Sequence, residues 1–318
     1  MFSYSIMQWL FIFYFYCFFG WCFESAYVSL KKRKWVNRGF MKGPFLPLYG
    51  SGAVMMLVVS RPFLNHWWAV YIAGCIGATV LEYITGVVME ALFKVRYWDY
   101  SNQPFNFQGH ICLGSSLAWG GLTLFMNYGI HRPIEAFVLA IPSNILTILT
   151  ILLTIYIVGD FVLSFKAALD LRDILVRMEK VKEEFLRVQK RLDVMIAVAG
   201  EEWDQKKDDI KDALTESIGR TKDAFSDKLK VDDLKEGIET RLSALKEMLK
   251  KRTEDIPENA KEEIMDLNAE YKMNAASHER LGSLRSLNRR IRNNPTMSSK
   301  KYREALDELK KRASEKWR

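Results

Sequence analysis

The sequence predicts an all-α chain: a polytopic membrane helix bundle of about five spans, followed by a long amphipathic and coiled-coil helical tail. Three observations carry this reading. Charge is segregated, with ten Lys/Arg and six Asp/Glu in residues 1–160 against thirty-six and thirty-two in residues 161–318. Apolar runs approaching the roughly 20 residues that a bilayer core requires recur through the first half. From Leu171 onward, apolar residues alternate three and four apart among charges, which is the seam of a coiled coil. The mean hydropathy of −0.08 averages two unlike halves and describes neither.

Five segments qualify as spans: about 4–29, 46–60, 67–93, 111–129 and 134–160. The first does not read as a cleaved signal peptide, because no basic region precedes it and its basic cluster follows it. The second is short, and Pro44, Pro47, Gly50 and Gly52 crowd its start, so a broken or half-unwound helix is expected there. The first loop holds Lys31, Lys32, Arg33, Lys34, Arg38 and Lys42, the second only Arg61, the third Lys94 and Arg96, and the fourth only Arg132. By the positive-inside rule this alternation places the N-terminus outside a cell membrane, and the first loop, third loop and tail in the cytoplasm. The outer loops are too short for a capture domain, so the working surface is expected inside.

The composition excludes several chemistries. Cys17, Cys22, Cys75 and Cys112 lie in apolar segments without CxxC spacing, so neither a disulfide framework nor a zinc site is indicated. His66, His110 and His131 do not stand at metal-ligand or nucleophile–base spacing, and no metal, cofactor or enzymatic activity is expected.

Carboxylates within apolar spans are another matter, since each costs roughly 2.5–3.5 kcal/mol at a helix centre on insertion scales. Glu24, Glu82 and Glu90 are such residues. Gly74, Ala78, Glu82, Gly86 and Glu90 recur four apart, forming one stripe of small residues and carboxylates that permits close helix approach. Two readings stay open. The glutamates pair with loop arginines or hydroxyls to lock the bundle, or Glu24, Glu82, Glu90, Arg38 and Asp99 form a site for a cation, a proton or a polar ligand. Glu135 and Asp160, at span ends, are expected to be solvated. The loops facing the cytoplasm add an unusual motif: Gly39, Gly43, Pro44, Pro47, Tyr49 and Gly50 around the first, and Trp98, Asn106 and Gly109 in the third. Such irregular backbone at membrane depth is tolerated where it is buried in protein or lines a cavity. A parallel internal repeat is also suggested, pairing Glu24, Trp35, Gly43 and Tyr49-Gly50 with Glu90, Trp98, Gly109 and Trp119-Gly120.

With Gly20-Trp21, Glu24, Arg38-Gly39-Phe40, Gly43-Pro44, Pro47-Leu48-Tyr49-Gly50, Glu82-Tyr83, Glu90, Trp98-Asp99-Tyr100-Ser101, Asn106, Gly109, Ile111-Cys112-Leu113 and Trp119-Gly120 in this order, the chain resembles a bacterial family of ABC-transporter permeases, type IV, the CmpB-like group. The resemblance covers roughly residues 15–160. It implies a role in transport, without carrying over a substrate or any catalytic residue. No GxxxxGK[ST] phosphate loop occurs in the chain, so an ATPase would come from a separate subunit docking on the first and third loops.

The tail, 161–318, is expected to carry a coiled coil over about 168–197, a second helix with Ile210 through Leu249 as its apolar positions, and a third over roughly 258–291. The seam suits either a homo-oligomer or an intramolecular hairpin. Residues 285–318 hold twelve Lys/Arg against four Asp/Glu, a basic end suited to anionic lipid or an acidic partner. No nucleic-acid module is recognisable. Two functions follow: a membrane transport component, or a membrane-anchored scaffold or sensor whose tail recruits cytoplasmic partners.

Overall fold

A computed structural model describes residues 4–198, 231–251, 258–282 and 285–315. The break expected at Gly200 and the helical positions Ile210 to Leu229 lie outside the described residues. Helix α1 (Ile6–Lys32) opens on a capping box in which Gln8 N donates to Ser5 Oγ and Ser5 N to the Gln8 side chain. Helix α2 (Pro47–Ser60) carries its proline at the first position, where the missing N–H leaves no bond unmade. Helix α3 (Trp67–Phe93) follows, then a short hairpin of β1 (Asn106–Phe107) and β2 (Ile111–Cys112). Helix α4 (Leu113–Phe125) runs through a π turn (Met126–Ile130) into α5 (His131–Ala140), and α6 (Ser143–Val198) is the longest element described.

Three of these, α1, α3 and residues Ser143–Met195 of α6, are long and apolar enough to cross a membrane. The 14 residues of α2 rise only about 21 Å, short of the roughly 30 Å of a hydrocarbon core. One expectation is corrected. The loop placed between residues 129 and 134 is helical, and the chain breaks at Ile141-Pro142 instead, so the last apolar helix starts at Ser143 and not near 134. Pro133 misleads because it lies within an otherwise helical run. The π turn just before it loosens the helix where its ring would meet the carbonyl four residues back. His131, read as a loop residue, is fully buried between Tyr4 and Tyr16, each with its hydroxyl 3.0 Å from a ring nitrogen.

The chain forms two compact units, residues 1–172 with 286–301, and residues 173–285 with 302–318. The sequence division at 160/161 is therefore displaced, and part of the basic end is built into the membrane unit. In that unit α1 packs on α2, α2 on α3 and α3 on α4. Gly74, Ala78, Glu82 and Gly86 of α3 are buried, while Ile72, Ile76, Val80 and Ile84 are at least half exposed. Small and polar groups inside with large apolar groups outside is the arrangement a lipid solvent favours. In the second unit the heptad positions Val181, Phe185, Val188, Leu192 and Met195 of α6 are buried. They pack against Leu234, Ile238 and Leu242 of α7 (Val231–Lys251) and Ile264, Leu267 and Tyr271 of α8 (Glu258–Gly282). The seam is thus satisfied within one chain. Helix α10 (Arg303–Glu315) closes this unit through Glu308, which lies 3.2 Å from His278 and also pairs with Arg312. The remaining helix, α9 (Arg285–Asn293), leads into the segment that belongs to the membrane unit.

Candidate functional site

The membrane carboxylates sit in two related settings. In the α1–α2 hairpin, Tyr49 Oη donates to Glu24 Oε2 at 2.9 Å, and Gly50 lies against Cys17 and Phe13. In the α3–α4 hairpin, Trp119 Nε1 donates to Glu82 Oε2 at 3.0 Å, and Gly120 lies against Cys75 and Tyr71. Phe13, Cys17 and Glu24 are each 58 residues before Tyr71, Cys75 and Glu82, and Tyr49-Gly50 is 70 before Trp119-Gly120. The same contacts recur, so the hairpins are structural repeats. The suggested alignment is corrected in one respect: the counterpart of Glu24 is Glu82 and not Glu90.

The two glutamates differ in their charge partners. Glu24 has the guanidinium of Arg38 at 3.5 Å. Glu82, 5% exposed, receives Tyr100 Oη at 3.0 Å, Ser115 Oγ at 3.3 Å and Trp119 Nε1, all neutral donors. Burial and the neighbouring Glu82 push the Tyr100 phenol up, which keeps its proton in place for this bond.

A second cluster lies at the end of α3. Arg96 Nη2 meets Glu90 at 2.7 Å, and His110 Nε2 meets the same carboxylate at 3.1 Å. Arg96 Nη1 also faces Asp99 at 3.6 Å. Burial and the Arg96 charge hold His110 below its ordinary value, outweighing Glu90, so the imidazole is neutral near pH 7 and donates from Nε2. Burial raises Asp99, but bonds from Ser101 and Ser298 and the charge of Arg96 outweigh it and leave Asp99 below the usual carboxylate range.

The Gly/Pro motifs shape the loops that hold these groups. Phe45 N donates to Gly43 O, a three-residue turn centred on Pro44, while Gly43 N donates to Asp160 Oδ2 at 2.8 Å. Asp160 is therefore a loop anchor and not merely a solvated end. In the third loop Gly109 adopts φ 75°, which only glycine enters freely, and its N–H donates to Asn106 Oδ1. Trp98 Nε1 reaches His110 O at 3.0 Å, and Tyr100 N donates to Gly109 O.

Residues 286–301 complete this end of the unit. Arg38 donates to Asn294 Oδ1 at 3.0 Å, to Thr296 Oγ1 at 2.8 Å and to Tyr97 O at 3.0 Å, while Asn294 Nδ2 reaches Gly39 O. Arg96 and Ser298 exchange backbone hydrogen bonds of 2.7 and 2.9 Å as an antiparallel bridge. Arg290, 8% exposed, donates to Tyr97 Oη and to Ser164 O, with its guanidinium 4.7 Å from the Phe40 ring centroid.

Residues 11–165, just under half of the chain, match the family described as "Putative ABC-transporter type IV". This segment is similar to that family over the residues matched. No curated protein and no solved structure matches the chain. The matched segment contains Glu24, Glu82, Glu90 and the loop motifs, whereas 286–301 lies beyond it. Among the sequence candidates, Glu24 with Arg38 and Tyr49, and Glu90 with Asp99, are brought together in separate clusters, and Glu82 stands by itself among neutral donors. Sequence reasoning missed Arg96, His110, Tyr100, Ser115 and Trp119 as partners, and all of Arg290, Asn294, Thr296 and Ser298. Arg96 carries one signal in the sequence, a cation six residues after Glu90 at the end of an apolar span. Nothing local marks Asn294, which acts some 255 residues away.

Proposed function

We propose that the chain is the membrane subunit of an ABC-type transport system, with the ATPase supplied by a separate chain and with Glu82 as the proton- or cation-exchanging point of the pathway. The observation that carries this is the asymmetry of the carboxylates: Glu24 and Glu90 are each paired with an arginine, and Glu82 is held by neutral donors alone. A buried carboxylate in this state is neutral or needs a cation, and it can exchange one for the other without breaking an ion pair. In this reading the bundle is completed by α2 and by the run from α4 through the π turn into α5, giving five membrane elements. The N-terminus lies outside, and the first and third loops face the cytoplasm. The chain catalyses no reaction itself.

The scaffold or sensor reading has the tail recruit cytoplasmic partners, and the heptad positions from Val181 to Met195 are packed within the second unit. Two measurements test the proposal. Purification in mild detergent should yield a co-purifying chain with a GxxxxGK[ST] loop, and a cytosolic regulator without one would favour the scaffold. Infrared difference spectra of the reconstituted protein, on changing pH or adding Na⁺, should show a carboxyl signal that Glu82→Gln removes. If the spectra of the two proteins coincide, Glu82 only locks the bundle.

A further inference from the structure

We propose that residues 286–301 are a displaceable plug over the first and third loops, excluding the separate ATPase subunit until they are released. This rests on the transport reading above, together with the docking of that subunit on these loops that the sequence leads one to expect. The segment lies outside the family region yet holds its most polar loop groups, Arg38 through Asn294 and Thr296, and the Arg96 backbone through Ser298. It therefore covers the two loops at once.

The chemistry of the contact suits release. Asn294, Thr296 and Ser298 hold polar loop groups that water or a partner's polar groups can satisfy equally well, so opening orphans little there, and Arg290 is the anchor whose bonds to Tyr97 and Ser164 must break. An isolated backbone bridge, unlike a sheet, has no neighbouring strand to support it. Only a small apolar set, Leu287, Ile291 and Met297, is buried along the segment. Both ends of the segment continue into the second unit, so after release it stays tethered at high effective concentration and recloses readily. The plug also holds Arg38, the cation of Glu24. Its release loosens that ion pair while leaving Glu82 among its own donors.

Three full-length proteins in nanodiscs test this: wild type, the opened variant N294A/S298P, and K94C/S299C, whose pair joins the positions linked by the Ser299 Oγ to Lys94 O bond. Each is immobilised and exposed to the purified co-purifying subunit labelled with azido-ATP, and retained label is measured. The opened variant should bind about tenfold tighter than wild type, within the usual span for coupled sites. The cysteine pair should retain less label when oxidised and return to the wild-type level on reduction, which controls for folding. Equal retention by all three overturns the plug while leaving the transport reading intact. Absence of labelled subunit on every one, including the opened variant, overturns the transport reading and the plug with it.

Discussion

Replacing Arg290 by alanine should open the 286–301 segment without unfolding the bundle, and the expected size of the effect can be worked from its contacts. The guanidinium is 8% exposed and satisfies two acceptors, Tyr97 Oη and Ser164 O, with its shortest bond 2.7 Å. Hydrogen bonds to a charged group contribute about 1.5–3 kcal/mol each, giving about 3–6 kcal/mol for the two. Stacking on Phe40 adds about 1 kcal/mol, and releasing the side chain returns about 2 kcal/mol of rotamer entropy. The net, about 2–5 kcal/mol, corresponds to about 30- to 5,000-fold in the closed-to-open ratio. Hydrogen–deuterium exchange on the full chain in nanodiscs reads this at the Arg96 and Ser298 amides, which close the backbone bridge. Both should exchange faster by that factor in Arg290→Ala, and by less in Arg290→Lys, which keeps the charge but not the planar fork. Amides around Phe185, in the other unit, serve as the internal reference. Exchange at Arg96 and Ser298 within about threefold of wild type, under 0.7 kcal/mol, would refute the assignment of Arg290 as the anchor.

Three further outcomes are expected. Gly120→Ala should destabilise the α3–α4 hairpin by about 1–3 kcal/mol, because the added methyl meets Cys75 and the Tyr71 ring, and Cys75→Ala should restore part of the loss in a detergent thermal melt. Phe185→Ala should cost about 3–5 kcal/mol in denaturant unfolding of the second unit, since the ring is fully buried at the heart of the seam. The lowered value of His110 means the folded chain binds fewer protons than the unfolded one below the ordinary histidine range, so stability rises with pH there. Melting temperature should therefore fall as pH drops from about 6.5 toward the lowered value, and His110→Asn should flatten that slope.

The membrane and tail halves were legible because each obeys a local rule. Apolar length marks α1, α3 and α6, and the three-four spacing marks the heptad seam. The buried stripe on α3 was legible for the same reason, since period 3.6 projects Gly74 through Gly86 onto one side. The fourth loop failed because Gly129, Arg132 and Pro133 satisfy the local signals for a turn, while packing of His131 between Tyr4 and Tyr16 overrides them. The plug was illegible for a different reason. Asn294, Thr296 and Ser298 are ordinary loop residues in sequence, and their partners Arg38, Gly39 and Asp99 lie roughly two hundred or more positions away. Basic composition suggested an external partner for residues 285–318, yet Arg290 is used internally.

The repeat turns two similar substitutions into a discriminating pair. Glu24→Gln and Glu82→Gln change the same atom at equivalent places in the two hairpins. Glu24→Gln strips the counter-charge from Arg38, which is 9% exposed and cannot reach bulk water without leaving Asn294 and Thr296. An orphaned buried charge of this kind costs about 3–5 kcal/mol, so this variant should melt lower in detergent while keeping the infrared carboxyl signal. Glu82→Gln leaves no orphaned cation, and its amide oxygen still accepts from Tyr100, Ser115 or Trp119, so the melt should move little while the signal disappears. A mere locking role for both glutamates predicts two lowered melts and no spectral difference. An exchange role at Glu82 predicts opposite responses from two residues that share one place in the fold.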